Sequence, residues 1–490
     1  MGRLETEESG EASWTREEIM KNLGTMEQTS MLSFDMETAL RKEEVTARAG
    51  LPLVIEASRA LGLDEVMERE VCVAKRQRRF SDVDKMEAIF LLIASGGDRV
   101  EDIRILSEDE GLLSLLDRKL PSPDVLLDFL QAFDDPSVWG VRPEGELSFV
   151  PRETPPLEGL DRVNRALIIR STTGGCSKTA TVDHDGTIIE SHKREATIAY
   201  EGTKGYQPLV AVWAEEALIL ADEFRDGNVP GGKDPLSSVK RAFEALPINV
   251  TERYFRGDSA DYYTPLLKWL VEEGIGFTIS ADMTKELRKC CEELSGEAWE
   301  ELEKRPTEIV HLAELEFTPG DWKKEAKPLR YVGLRITPRQ GVLFEERPVR
   351  YLAYVSNRSD LSVKELVRWH WGKAGTIEHV HRVMKDELGA GVLPSVKFGA
   401  NAAWFRLNVI TCNLLTVLKH RALPERYLSA RPKRLRFEIF TIPARIKEHE
   451  GRLTACLSAE EMRVKEIIEA RGRLVKLNDS LAEAAKLVSA

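Results

Sequence analysis

The stretch from residue 165 to 283 constrains the fold most. ALIIRS, TATVDHDGTII, PLVAVWA and LILADEFR are short runs of β-branched and apolar residues, parted by Gly-containing turns such as Glu201-Gly202-Thr203-Lys204-Gly205. A helical pattern over Asp234–Leu246 follows, then the strand NVTERYFRGDS, the helix TPLLKWLVEEG and the strand GFTISAD. A strand meander continued by helix, strand, helix, strand is an α/β order.

Helices flank this core. Apolar residues recur at three-to-four spacing in LPLVIEASRALGLDEVM. SDVDKMEAIFLLIASGG predicts a helix with Ser81 as N-cap and an end at Gly96-Gly97. Ser122-Pro123 opens another, with Pro in the first helical position. Residues 284 to 305 form a heavily charged helical run, and EIVHLAELEF, LRYVGLRI and VRYLAYVS look like an inserted, mostly antiparallel β module. Leu361–Leu388 returns to helix, followed by an apolar helix through Ala402–Leu418 in which Trp404 and Phe405 read as core residues.

At 490 residues the chain predicts more than one domain. Its longest apolar run, Ala88–Ala94, falls far short of the ~20 residues that span a bilayer, and the acidic first residues lack the apolar core of a secretory signal. Six cysteines without a CxxC exclude a disulfide scaffold and a zinc ribbon, and a cytosolic chain is expected. No G-x4-GK[ST] phosphate loop and no G-x-S-x-G elbow is present. The net charge of −12 argues against nucleic acid until its distribution is examined. Residues 361–450 hold 16 Lys or Arg against 8 Asp or Glu, so one basic segment sits on an acidic body. That suits a protein touching DNA over a limited surface; an ordinary basic subdomain fits the charge equally well. The run Lys75-Arg76-Gln77-Arg78-Arg79 reads as a basic loop.

Carboxylates at strand ends carry the chemistry. Asp183 and Asp185 share one face of the first meander strand, and Asp258 ends a later strand just after Gly257. Glu378 stands on the long helix beyond the β module. Such a set can hold a pair of hard divalent cations. Two ions about 3.5–4 Å apart clamp the attacking and leaving oxygens of an in-line phosphodiester displacement. With 82 acids in the chain, chance also places some at strand ends.

Three blocks sharpen the reading. WGKAGTIEHVHRVMKDELGAG keeps an E-x6-K spacing from Glu378 to Lys385 and runs on into LPSVKFGANAAWFRLNVITCNLL. VDHDGTIIESHKREATIAYEGTKGYQPLVAV and RYFRGDSADYYTPLLKWL lie upstream in order. In these blocks the chain resembles the DDE transposases of bacterial insertion sequences, the group marked by Y-x2-R-x3-E-x6-K, over roughly residues 45–450. The resemblance implies an RNase H-like catalytic core with an inserted mostly β module and an N-terminal helical domain. It divides the chain into an acidic mobile arm (1–40), a helical, DNA-binding domain (41–160), the first part of the core (161–283), the β-rich insertion (284–357), the helical part of the core (358–425) and a basic, then helical C-terminal region (426–490). It assigns Asp185, Asp258 and Glu378 as the catalytic, metal-binding triad, with Asp183 the alternative to Asp185. Two Mg²⁺ ions, replaceable by Mn²⁺, are the implied cofactors. Lys385, Arg382 and His381 follow Glu378 along the helix and would contact DNA, as would Lys373, Arg431, Lys433, Arg434 and Arg436. Trp371 occupies the signature's Tyr position. Ala374 occupies its Arg position, so Lys373 would have to replace the missing cation. Implied partners are the element's terminal inverted repeats and target DNA, bound by a homodimer at the bacterial nucleoid. An inactivated, DNA-binding descendant and a nuclease without strand transfer are the alternatives.

Overall fold

In the computed structural model, residues 44–73, 79–139, 148–199, 201–322, 328–339 and 349–489 are described. The expected acidic arm and all but Arg79 of the basic run at 75–79 lie outside them.

Helices α1 (Leu53–Ala60), α2 (Leu63–Glu70), α3 (Asp82–Ser95), α4 (Pro123–Gln131) and α5 (Pro155–Ser171) precede the sheet. The capping signals work as read. Ser81 Oγ accepts from Asp84 N–H at 3.0 Å while Asp84 accepts from Ser81 N–H at 2.9 Å, closing a capping box. α3 ends at Gly96, whose φ of 99° an L side chain rarely adopts. Ser122 caps α4 with Pro123 behind it. ALIIRS, expected as a strand, is instead the last turns of α5. Leu157, Leu160, Val163, Leu167 and Ile168 recur at helical spacing and are all buried, so tertiary packing overrides the β-branched composition.

The main sheet comprises β1 (Thr179–Gly186), β2 (Leu209–Trp213), β3 (Leu218–Glu223), β4 (Glu252–Gly257), β5 (Gly276–Ala281), β6 (Glu300–Lys304), β7 (Glu308–Leu315), β8 (Arg330–Pro338) and β9 (Arg350–Ser356). Their spatial order is β6-β7-β8-β9-β5-β4-β1-β2-β3. β1, β2 and β3 form the antiparallel meander. α6 (Leu236–Glu244) and α7 (Thr264–Glu272) are the crossovers that lay β4 parallel to β1 and β5 parallel to β4. The order 3-2-1-4-5, with only the second strand reversed against the parallel set 1, 4 and 5, is an RNase H-like core.

The insertion does not form a separate sheet: β9 pairs antiparallel with β5, and β8, β7 and β6 continue outward. Part of the charged run read as helix is β6, an edge strand. It shows the charged face that keeps an edge from pairing further, with Leu302 buried beneath. Beyond β9 come α8 (Val363–Trp371), α9 (Ile377–Glu387) and α10 (Phe398–Val417). The expected single helix over 361–388 is thus two, broken by a tight turn at Gly372–Gly375. The C-terminal helix α11 (Glu461–Ser489) packs back on α1 through the Arg471–Glu56 ion pair.

One hydrophobic core runs from Leu51 to Leu474, so the N-terminal helices and the sheet share an interior. α10 is its axis: every residue from Gly399 to Val417 is buried, Trp404 and Phe405 among them. A helix wrapped on all sides must satisfy its polar groups internally. Asn413 accepts from Ile219 N–H at 2.8 Å, next to the irregularity in the β2–β3 pairing. Arg406 places its donors on Asp222 (3.0 Å), Glu153 (2.6 and 2.9 Å) and the Leu157 carbonyl (2.8 Å). The Arg406 and Arg241 charges hold the Glu153 carboxyl down at about 2 against the cost of its burial. Its folded value lies below its unfolded one, so the stabilisation is full above about pH 4.5 and is lost as the pH falls towards 2. Arg406→Met leaves the buried Asp222 carboxylate without its cation and Glu153 with Arg241 alone, and should cost about 3–5 kcal/mol in urea unfolding at pH 7. The deficit should shrink as the pH approaches 3.

Candidate active site

β1, β4 and β5 run parallel and end at the same edge of the sheet. Asp183 is level with Arg256 in the β1–β4 register, and extending that register by two residues brings Asp185 level with Asp258. β1 is central and buried on both faces, so each of its polar side chains needs a partner.

Asp183 is sealed. Its oxygens take Arg256 Nε at 2.6 Å and Nη2 at 2.8 Å, and the Thr376 hydroxyl donates to the same carboxylate. It is 0% exposed, and Arg256 also donates to the Trp369 carbonyl at 2.6 Å. His184, on the opposite face, bridges Asp261 (Nδ1 to Oδ1, 2.8 Å) and Ser238 (Nε2 to Oγ, 3.3 Å). Nδ1–H donating to the carboxylate and Nε2 accepting from the hydroxyl satisfies both contacts. This bridge ties the turn after Asp258 to β1. The turn is so close that a Cβ on Gly257 would lie 2.3 Å from Asp261 Oδ2, which explains the glycine before Asp258.

Asp185 and Asp258 are different. Asp185 is partly exposed, its Oδ1 accepts from Gly186 N–H at 2.9 Å, and its Oδ2 faces Lys373 Nζ at 3.3 Å. Asp258 is also partly exposed and caps its own turn through Ala260 N–H at 2.9 Å. Asp282 follows β5 at the same edge, and partial burial together with the Asp258 charge pushes its carboxyl above the usual value. Sequence reasoning passed over Asp282, although an Asp closing GFTISAD repeats the pattern that singled out Asp258.

Glu378 is exposed in the first turn of α9 and Lys385 is half-buried near its end. Among the described residues, no three Asp, Glu, His or Cys side chains stand close enough to hold a metal, so Asp185, Asp258 and Glu378 do not converge into one ligand set here. The donor chemistry nevertheless suits a hard divalent cation. Asp185 and Asp258 offer accessible carboxylate oxygens from neighbouring strand ends, whereas Asp183 has none to spare.

The expected DNA contacts divide. Arg382 is exposed and donates to His379 Nδ1 at 3.2 Å; Lys433 and Arg434 are exposed, Arg434 pairing with Glu438 at 2.7 Å. Arg431 is exposed but ion-paired with the buried Glu387, which also takes Lys433 N–H at 2.8 Å. Arg436 is structural. It donates to the α3 carbonyls of Ala94 (2.9 Å) and Ile93 (3.3 Å) and to the Glu387 carbonyl, closing the helix end that Gly96 terminates. His381 is buried rather than on the DNA-facing surface. Burial first, then the charges of Lys385 and Lys373, push it down to about 3, and its Nε2 has no partner among the described residues.

Sequence comparison places this geometry in a family. The family described as Transposase DDE domain group 1 matches residues 33–479, and the chain belongs to it. The protein is a DDE transposase, a divalent-metal-dependent enzyme that works on DNA. Among solved structures, it is similar to the piggyBac transposase in its synaptic complex with hairpin DNA, at 14% identity over 80% of each chain and a TM-score of 0.45. No curated protein matches. No helix among the described residues is long and apolar enough to cross a membrane.

Two outcomes follow from the site. Asp183→Asn leaves Arg256 buried with a weakened partner and should cost roughly 3–5 kcal/mol of stability, whereas Asp185→Asn, which weakens a single lysine contact at 3.3 Å, should cost less than that in urea unfolding. The His381 imidazole should show no titration between pH 5 and 8 in NMR spectra, since its folded value lies near 3. Protonating it would oppose folding, so its contribution to stability falls only as the pH drops below about 6.5 towards 3.

Proposed function

We propose that this transposase binds the terminal inverted repeats of a bacterial insertion element and catalyses cut-and-paste transposition, with Asp185, Asp258 and Glu378 as its catalytic carboxylates. The observation that supports this reading is the contrast at the end of β1: of two carboxylates on one face, Asp183 is fully buried on Arg256, whereas Asp185 is partly exposed on a single lysine contact and level with Asp258 when the β1–β4 register is extended. Asp185 and Asp258 would hold Mg²⁺, with Mn²⁺ as a substitute, and Glu378 would complete the set as α9 closes over the strand ends. Two bound ions would supply charge neutralisation at the phosphate and an activated nucleophile.

The chain's own residues do the rest. Lys385 and Arg382, on the helix that carries Glu378, hold the backbone of the bound strand. Lys433, Arg434 and Arg431 extend that surface across the C-terminal region. Cleavage and strand transfer are both in-line displacements, so one site serves both. Joining two ends requires a homodimer with one site per protomer, working on DNA in the bacterial cytoplasm.

Asp185→Asn, Asp258→Asn and Glu378→Gln should each reduce cleavage of end DNA to background while end binding stays within about threefold of wild type, because phosphate contacts dominate affinity. Cleavage by Asp185→Asn at the wild-type rate would remove that residue from the site. Neutralising Lys433 and Arg434 together should lower the slope of log affinity against log salt by about 2, at ~0.9 per phosphate contact. An unchanged slope would place the DNA on another face.

A further inference from the structure

Asp183 and Asp185 both face cations, in opposite manners. Arg256 grips Asp183 with two parallel bonds of 2.6 and 2.8 Å and anchors a further donor on the Trp369 carbonyl, so it cannot leave without unmaking the fold. Lys373 meets Asp185 through one ammonium at 3.3 Å, on a flexible four-carbon stem. Its backbone lies in the turn between α8 and α9, flanked by Gly372 and Gly375, and a Cβ on Gly375 would meet nothing within 4 Å. The elbow is therefore open on the side away from Arg256.

Among the described residues, the groups around Lys373 leave it a single ion-pair partner. α8 presents His370 and α9 presents His381, both buried and neutral at pH 7, while Arg256 adds a like charge near His370. Among the described residues, only Asp185, from β1, is ion-paired with the ammonium, and the Lys373 side chain is just 10% exposed. A cation held in so dry a place by one carboxylate stays until something more strongly charged claims that carboxylate, and leaves towards whatever anion is nearest.

We propose that Lys373 is an exchangeable counter-ion: it neutralises and orients Asp185 in the DNA-free protein, is displaced when a divalent cation takes that carboxylate, and then turns to a phosphate of the bound strand. The inference rests on the reading of Asp185 as a metal ligand. It accounts for two facts together. Lys373 is buried on a carboxylate rather than displayed to DNA, and the exposed signature position beside it, Ala374, carries no cation. Lys373 is thus a positioning residue before DNA arrives and a phosphate contact afterwards.

The test measures Mn²⁺ binding to the full-length, DNA-free protein from the paramagnetic resonance signal of free aquo-Mn²⁺. Removing a positive charge that competes for Asp185 should tighten binding by about tenfold or more in Lys373→Met. Lys373→Gln, which keeps a polar head without the charge, should tighten it similarly and serves if the Met variant does not fold. Lys373→Arg should bind no more tightly than wild type, and Asp185→Asn should bind far more weakly. Unchanged or weaker Mn²⁺ binding in Lys373→Met and Lys373→Gln, with Asp185→Asn still impaired, would overturn the exchange and leave the site assignment standing. Wild-type Mn²⁺ binding by Asp185→Asn would overturn the site assignment itself, and the exchange with it.

Discussion

The buried pair between Asp183 and Arg256 fixes the geometry on which the active edge depends. It joins β1 to β4 side chain to side chain, reaches the Trp369 carbonyl of α8, and through the shared Thr376 hydroxyl reaches the start of α9. Four elements that enter the site at separate points in the sequence are therefore held by one guanidinium and one carboxylate. Taking both charges out of water is expensive, and the arrangement is stable because every strong donor and acceptor in it is used. Its benefit is positional: with β1 and β4 locked in register, Asp185 and Asp258 stand side by side at the sheet edge, and the elbow carrying Lys373 stands over them.

Much of this edge was legible. Period-two alternation puts Asp183 and Asp185 on one face, and the Gly before Asp258 marks a strand end where another side chain comes close. Alternation could not separate the two aspartates, because what separates them is Arg256, far along the chain. Helix caps were legible for a related reason: Ser81 and Ser122 act on neighbours three residues away, and such information is local.

What the sequence hid was set by distant partners. ALIIRS has strand composition, but its buried positions continue the helical spacing that Leu157, Leu160 and Val163 begin in a 17-residue helix. EELEK has helix composition, yet it supplies the charged border that the last strand of a growing sheet needs. Arg436 sits in a basic run and looked like a DNA contact; its role is to close α3, more than 300 residues earlier in the chain. His381 shares a helical stripe with Arg382 and Lys385, but α9 turns that stripe partly inward, and only the tertiary contacts reveal a neutral imidazole. The N-terminal helices and the sheet share the large apolar cluster around α10, because that helix is apolar all round and is wrapped by both.

The insertion between Asp258 and Glu378 acquires a physical role from the same contacts. It extends the sheet from β5, so the strand that ends at Asp282 is flanked on both sides instead of forming a frayed edge. Its inner face forms a second apolar cluster, Leu302, Val310, Leu312, Val332, Leu334 and Ile336, which receives Leu366 and Val367 of α8. Trp371 Nε1–H donates to the Tyr354 hydroxyl at 3.0 Å, and His370 lies against the Tyr354 ring at 4.1 Å. These contacts fix the last turn of α8, and two residues later the chain delivers Lys373 to Asp185. The aromatic at the signature's first position thus works as a bolt between the insertion and the elbow. Removing the insertion would leave α8 with an exposed apolar face and no fixed direction, and the elbow would lose its register over the strand ends. The β insertion is therefore part of how the site is held through contacts made away from the carboxylates themselves.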